Sequence, residues 1–193
     1  MFNIKKHEKE VSVVNAMLII FAILMSIISF TYEKDTTLNS SNTLMIIDTA
    51  VCIVALIFGL IYTVNGSKKD FAKYYKTFMG VYTFASLITL VDVMNNTLSN
   101  GFLANSFLSI VVIIVEFVCL LILTLAKDFG KKNSLTLAYL VLALEIFIFV
   151  RACISYSEYF IYIECCFKRL VLSCIACVSV LMKYVDKDDR GTI

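Results

Sequence analysis

Proline and tryptophan are absent from this 193-residue chain, histidine occurs once and glycine six times. Each shortage excludes something. Without proline the chain lacks the commonest cause of a sharp helix kink, whereas many secondary transporters break their helices near the midplane, often at Pro or Gly. The lone histidine, His7, sits in a lysine-rich N-terminal stretch. That leaves no His-containing zinc motif, no histidine-ligated haem within the membrane and no Cys-His protease. The scattered glycines form no phosphate-binding loop and no G-x-S-x-G elbow. The Gly-x-Gly-Asp and Asp-Gly-x-x-Ala-Arg patterns of intramembrane proteolysis and membrane phosphotransfer are missing too. The expectation is a protein that is not an enzyme and carries no cofactor.

Charge is also scarce. Only 17% of residues are charged while 60% are hydrophobic, and the mean hydropathy is +0.88. Soluble domains carry about a quarter charged residues and about half apolar ones, so this composition belongs to a membrane protein. A net charge of +2 is too small to point to nucleic acid. Of seven cysteines, Cys52, Cys119, Cys174 and Cys177 fall inside apolar runs, where a thiol commonly serves as a small hydrophobe rather than in a disulfide framework. Cys165-Cys166 with Cys174-x-x-Cys177 offers a soft-metal alternative, but with no histidine to complete it the expected metal site is none.

What is present is a series of long apolar runs. Candidate spans lie at about 11–32, 43–65, 74–98, 102–126, 134–156 and 159–183, with short loops between them. At about 1.5 Å per residue each crosses a hydrocarbon core of roughly 30 Å. The first run is too long for a signal-peptide core and lacks a small-x-small cleavage site, so it reads as a retained helix. Runs of this length without alternation are helices, the form that satisfies its own backbone in lipid. The expected fold class is therefore all-α, a polytopic integral membrane protein built as one domain, residues 1–193, from six transmembrane helices. The tail from Tyr184 to Ile193 is too short to fold alone.

Lysines set the orientation. Lys5, Lys6 and Lys9 precede the first run; Lys68, Lys69, Lys73 and Lys76 lie between the second and third. Lys127, Lys131 and Lys132 lie between the fourth and fifth, and Lys183, Lys187 and Arg190 follow the sixth. The opposite side has Lys34 and a charge-free loop at 95–105, with Arg151 near its edge. The positive-inside rule then puts both termini in the cytoplasm, with the plasma membrane as the expected location. Tyr32, Tyr62, Tyr74, Tyr75, Tyr156, Tyr159 and Tyr184 stand at span ends, where an interfacial aromatic belt would use them. Gly66-Ser67-Lys68-Lys69 and Gly130-Lys131-Lys132 occupy matching loops, which shared loop requirements explain as well as duplication does.

The functional signal is the charge left inside the spans. A charge at the bilayer centre costs at least about 2.5 kcal/mol and marks a site by default. Glu116 stands eleven residues from Lys127 and Glu145 eleven from Ser134, which places both roughly 16 Å deep, near the midplane. Thirteen uncharged residues separate Arg169 from Lys183, so Lys168 and Arg169 come out roughly 20 Å up, above the two glutamates. Asp48, Asp92, Arg151 and Glu164 fall in the outer third. Glu164 and Lys168 are four apart and can pair along one helix. Tyr82, Ser86, Thr89, Asp92 and Asn96 form a polar stripe on another, and Ala55-x-x-x-Gly59 suits close helix packing.

Joined together, Asp92, Glu116, Glu145, Arg151, Glu164, Lys168 and Arg169 outline an outward-facing charged cavity. Such a cavity can bind or pass a small polar solute or ion, and a midplane carboxylate can carry a proton. The competing interpretation pairs Glu164 with Lys168, and Arg151 or Arg169 with Asp92 or Asp48, as devices that only fix helix register. The protein is then a scaffold, sensor or accessory subunit whose membrane partner does the work. Lipid is the one partner both interpretations require.

Overall fold

A computed structural model describes residues 8–32, 40–65, 71–100, 104–126, 129–155 and 160–190. Each segment is dominated by one helix: α1 (Glu8–Tyr32), α2 (Ser40–Asn65), α3 (Phe71–Asn100), α4 (Ala104–Leu125), α5 (Lys131–Ser155) and α6 (Phe160–Arg190). No strand occurs among the described residues. Helices α2 to α6 are each long and apolar enough to cross a membrane, and the apolar stretch of α1 covers Ser12–Ile28. The expected loop positions of His7, Lys5, Lys6, Lys34, Lys68, Lys69 and Lys127, and the turn at 156–159, lie outside the described residues.

Helix limits differ from the hydropathy limits for a backbone reason. Helix α6 continues past Lys183 to Arg190, taking in most of what reads as a separate tail. No glycine or proline interrupts the chain from Phe160 until Gly191, so backbone hydrogen bonding has no reason to stop where lipid stops. Helix α3 overruns its apolar core at both ends for the same reason. Between α4 and α5 the chain turns at Gly130, whose φ of 76° lies in the left-handed region that glycine enters without steric cost. The Gly130 carbonyl accepts a bond from Ser134 N at 3.1 Å and starts α5.

Consecutive helices pack as antiparallel neighbours, and α6 closes the ring against α1 while also touching α2 and α3. Pairings show the alternation. Ser12 meets Thr63, Thr83 meets Thr124, Ser109 meets Arg151, and Phe21 lies edge-on to Phe167. Helix α6 is the central element: 56% of its span is buried, against 22% for the span of α5. One half of the interior is apolar, with Leu56, Phe78, Met79, Leu120, Leu172, Ile175 and Val180 at its centre. Ala55 and Gly59 provide the close approach expected of them. A β-carbon built at Gly59 would come within 3.2 Å of both Ile175 and Phe78.

The outside of the bundle is apolar. On α4, Val111, Ile114, Val118, Leu121 and Leu125 are exposed at steps of three and four, making one continuous apolar face. Helices α1 and α5 present similar faces, among them Met17, Phe21, Leu24, Phe147, Val150 and Ile154. Apolar surface on this scale has to be covered, and lipid covers it. The tyrosine belt is only partly realised. Tyr62 and Tyr75 are buried between helices, Tyr62 stacking on Phe78 at 6.0 Å and Tyr75 lying 5.0 Å beneath the Lys183 ammonium. The side chains of Tyr32, Tyr156, Tyr159 and Tyr184 lie outside the described residues.

Candidate functional site

The buried charges occupy the other half of the interior in two layers, both built on α6. Lys168 and Arg169 are adjacent, and adjacent helical residues point about 100° apart. One helix therefore delivers one cation towards α1 and α2 and another towards α3, α4 and α5.

In the inner layer the Arg169 guanidinium holds two carboxyl groups from different helices. Its Nε donates to Glu145 Oε1 at 2.9 Å, and Nη2 lies 2.7 Å from the same oxygen. Nη2 also pairs with Glu116 Oε2. The second oxygen of Glu116 accepts a bond from the Tyr82 hydroxyl at 3.1 Å. Tyr82 is itself held on Phe78, ring centroids 6.2 Å apart. Glu116 and Glu145 are 0% exposed, and Glu145 Oε2 is buried with no hydrogen-bond partner. The fork of donors in a guanidinium suits this task, because it can engage two carboxylates in one plane.

Depth counting along the backbone sets Arg169 above Glu116 and Glu145, with no base at their level. The side chain removes that offset. Arginine is long enough to span about one helical turn, so its charge lies well away from its Cα. Arg169 therefore pairs with Glu116 and Glu145 rather than with Asp92 or Asp48.

The outer layer joins α1, α2, α3 and α6. Glu164 and Lys168 form the expected pair at 3.1 Å, almost completely buried. Ser26 Oγ on α1 donates to Glu164 Oε1 at 2.6 Å, and Lys168 Nζ reaches Thr49 Oγ1 on α2 at 3.4 Å. Thr89 Oγ1 on α3 donates to Asp48 Oδ1 at 2.6 Å, and Cys52 Sγ stands 3.9 Å from the same oxygen. Asp48 is buried in this layer. Asp92 is buried one turn beyond Thr89. Arg151 is half-buried on α5, its Nη1 donating to Ser109 Oγ on α4 at 3.1 Å.

Glu116, Glu145, Glu164, Lys168 and Arg169 are thus joined through ion pairs on α6, while Asp92 is buried on α3 and Arg151 bonds Ser109 between α5 and α4. Ser26, Thr49 and Ser109 bind the charges without having stood out in the sequence. Their one signal is a hydroxyl within an apolar run, too common in membrane helices to single out a position. The α3 stripe is real: Tyr82, Ser86, Thr89 and Asp92 are all buried, while the Asn96 side chain lies outside the described residues. All seven cysteines are free thiols. Among the described residues no three of His, Cys, Asp or Glu cluster in a metal-binding arrangement.

Charge balance is the property that decides what the interior can do. Among the described residues the buried acids are Asp48, Asp92, Glu116, Glu145 and Glu164 and the buried bases Lys168 and Arg169, with Arg151 half-buried. Uncompensated ions in such surroundings cost several kcal/mol each. Compared with known proteins, the chain matches no family model, no curated protein and no solved structure.

Proposed function

We propose that this multi-pass membrane protein takes up a small cation or cationic solute in its charged interior, performing no bond chemistry and using no cofactor. The observation that carries this reading is that, among the described residues, Asp48, Glu116, Glu145 and Glu164 are buried with two buried bases, Lys168 and Arg169. Register pairing alone needs equal numbers, whereas a cation-binding interior needs surplus carboxylates. Uptake occurs from the side where α6 begins, since Glu164, Lys168 and Arg169 lie in that half of the helix.

The protein sits in the cell membrane with six spans and both termini cytoplasmic. Ser12 against Thr63 joins the start of α1 to the end of α2, and Lys183 over Tyr75 joins the end of α6 to the start of α3. These contacts support gathering the lysine-rich ends on one side, which the positive-inside rule makes cytoplasmic. A single cysteine at exposed Lys132 (Lys132→Cys, in a cysteine-free background) checks this. An impermeant maleimide should label it only after the cells are permeabilised, and labelling of intact cells would invert the orientation.

A second reading is favoured by the continuity of the helices. Each hydrogen-bonded element runs unbroken through its buried charges, as suits a scaffold or accessory subunit with a membrane-protein partner. Thermal stability of the detergent-purified chain, screened against pH, Na+, K+, Mg2+ and small anions, separates the two. A ligand confined to the folded state stabilises by about 2.7 kcal/mol at a hundred times its Kd. A saturable rise with one cation or with protons supports uptake. A flat response throughout supports the scaffold.

A further inference from the structure

Resting on that reading, we infer that Glu164 and Thr49 form a cradle for a primary ammonium group, which Lys168 fills as a tethered stand-in until a small organic ammonium solute replaces it. The starting point is a mismatch between cost and use. Lys168 and Glu164 pair at 3.1 Å with side chains 1% and 2% exposed, so two ions have left water at a cost of several kcal/mol each. Both stand on α6, and a pair within one helix cannot hold that helix to another. Arg169 holds α6 to α4 and α5, through Glu116 and Glu145. The hydroxyl bonds with Ser26 and Thr49 reach α1 and α2, but bonds of that kind need no buried charge. Apolar residues in place of a buried ion pair often serve a fold equally well or better. An intramembrane pair that the architecture does not need marks a ligand site.

The geometry names the ligand class. Ser26 Oγ bonds Oε1 of Glu164 at 2.6 Å, and Oε2 faces Lys168 Nζ, which also reaches Thr49 Oγ1 at 3.4 Å. Cys165 Sγ stands 3.9 Å from the same Oε2. One charged and one neutral oxygen thus flank a nitrogen that carries three N–H donors and no acceptor. Separations of 3.1 and 3.4 Å suit N–H donors, whereas Mg2+ and Ca2+ sit about 2.0–2.6 Å from their oxygens. A solute that takes this place is an ammonium ion and not a metal.

The two adjacent cations also differ in how firmly they are held. The Arg169 fork makes three contacts with two other helices, whereas Lys168 ends in a point charge on a flexible four-carbon stem. Moving that stem opens the cradle without releasing α6 from α4 and α5. Asp48 precedes Thr49 on α2 and is buried in the same layer, which leaves the displaced Lys168 an acid to turn to. Glu164 lies one turn from the start of α6 at Phe160, roughly 6 Å along the helix. The cradle is therefore close to the end from which uptake is proposed.

Binding of radiolabelled methylammonium to the full-length protein in detergent tests this. The parent should bind it saturably, and a large excess of K+ should not displace it. Thr49→Val should weaken binding about tenfold, the loss of one hydrogen bond to an ion, and Glu164→Gln should abolish it. Lys168→Ala should bind at least about tenfold more tightly, because the stand-in no longer competes. No binding to the parent overturns the inference, as do displacement by K+, equal binding to Glu164→Gln and weaker binding to Lys168→Ala. Should Lys168→Ala or Glu164→Gln not fold, the parent against the near-isosteric Thr49→Val decides alone, and equal affinities overturn the cradle. The wider reading fails separately. Melting that rises with Na+ or K+ beside absent methylammonium binding rejects the cradle and keeps cation uptake; melting flat to every cation, methylammonium included, rejects both.

Discussion

Replacing Arg169 with Met tests the architecture most directly. The substitution keeps most of the side-chain volume and removes the guanidinium that Glu116 and Glu145 share. Three contacts disappear together: the Nε bond to Glu145 at 2.9 Å, the Nη2 contact at 2.7 Å and the pairing with Glu116. Removing one member of a buried ion pair costs about 3–5 kcal/mol, because the other member is left uncompensated. Here two carboxyls are left facing each other, both fully buried, so the loss belongs at the upper end of that range. Arg169→Lys keeps the charge but cannot engage both carboxyls through a planar fork, and should fall between parent and Met. Removing the acids with the base is the sharper comparison. Arg169→Met combined with Glu116→Gln and Glu145→Gln should recover more than half of the single-variant loss, since no charge then remains to be compensated. Reversible unfolding in mixed micelles gives these values directly. An Arg169→Met protein within about 1 kcal/mol of the parent would refute the reasoning. So would a triple variant no more stable than the single one, because the cost would then be packing and not electrostatics.

Two other substitutions test neighbouring parts of the structure. Tyr82→Phe removes one hydroxyl from Glu116 and should cost about 1.5–3 kcal/mol, as a bond to a charged group does. The same change at exposed Tyr139 should stay within about 0.5 kcal/mol. Equal losses at the two positions would dissolve the inner layer as an energetic unit. Gly59→Leu drives a side chain into Ile175 and Phe78 and should cost about 1–3 kcal/mol by overpacking. At Gly80 an added β-carbon meets nothing within 4 Å, so Gly80→Ala should gain up to about 1 kcal/mol from helix propensity. Unfolding midpoints of the pair check the signs, and a loss at both positions would contradict the packing described.

The physics of lipid makes much of this protein legible in the order of its residues. Apolar runs of about twenty residues can only be helices in a bilayer, so number, type and approximate limits of the elements follow from hydropathy alone. The Glu164–Lys168 pair is legible too, because both residues lie on one helix and local geometry fixes a spacing of four. The α3 stripe and the Ala55–Gly59 approach follow from the same 3.6-residue period. Pairing between helices is another matter. Depth counted along the backbone separates Arg169 from Glu116 and Glu145, yet its side chain crosses that interval and holds both. Which of the possible acids Arg169 takes depends on how α6 is turned within the ring, and helical periodicity carries no information on that. Tyr62 and Tyr75 make the same point, since a tyrosine at a span end can face either lipid headgroups or a neighbouring helix. Secondary structure and intrahelical neighbours are set by the order of residues in the chain. The meeting of six helix faces around Arg169 and Lys168 is set by packing, and only the tertiary structure decided it.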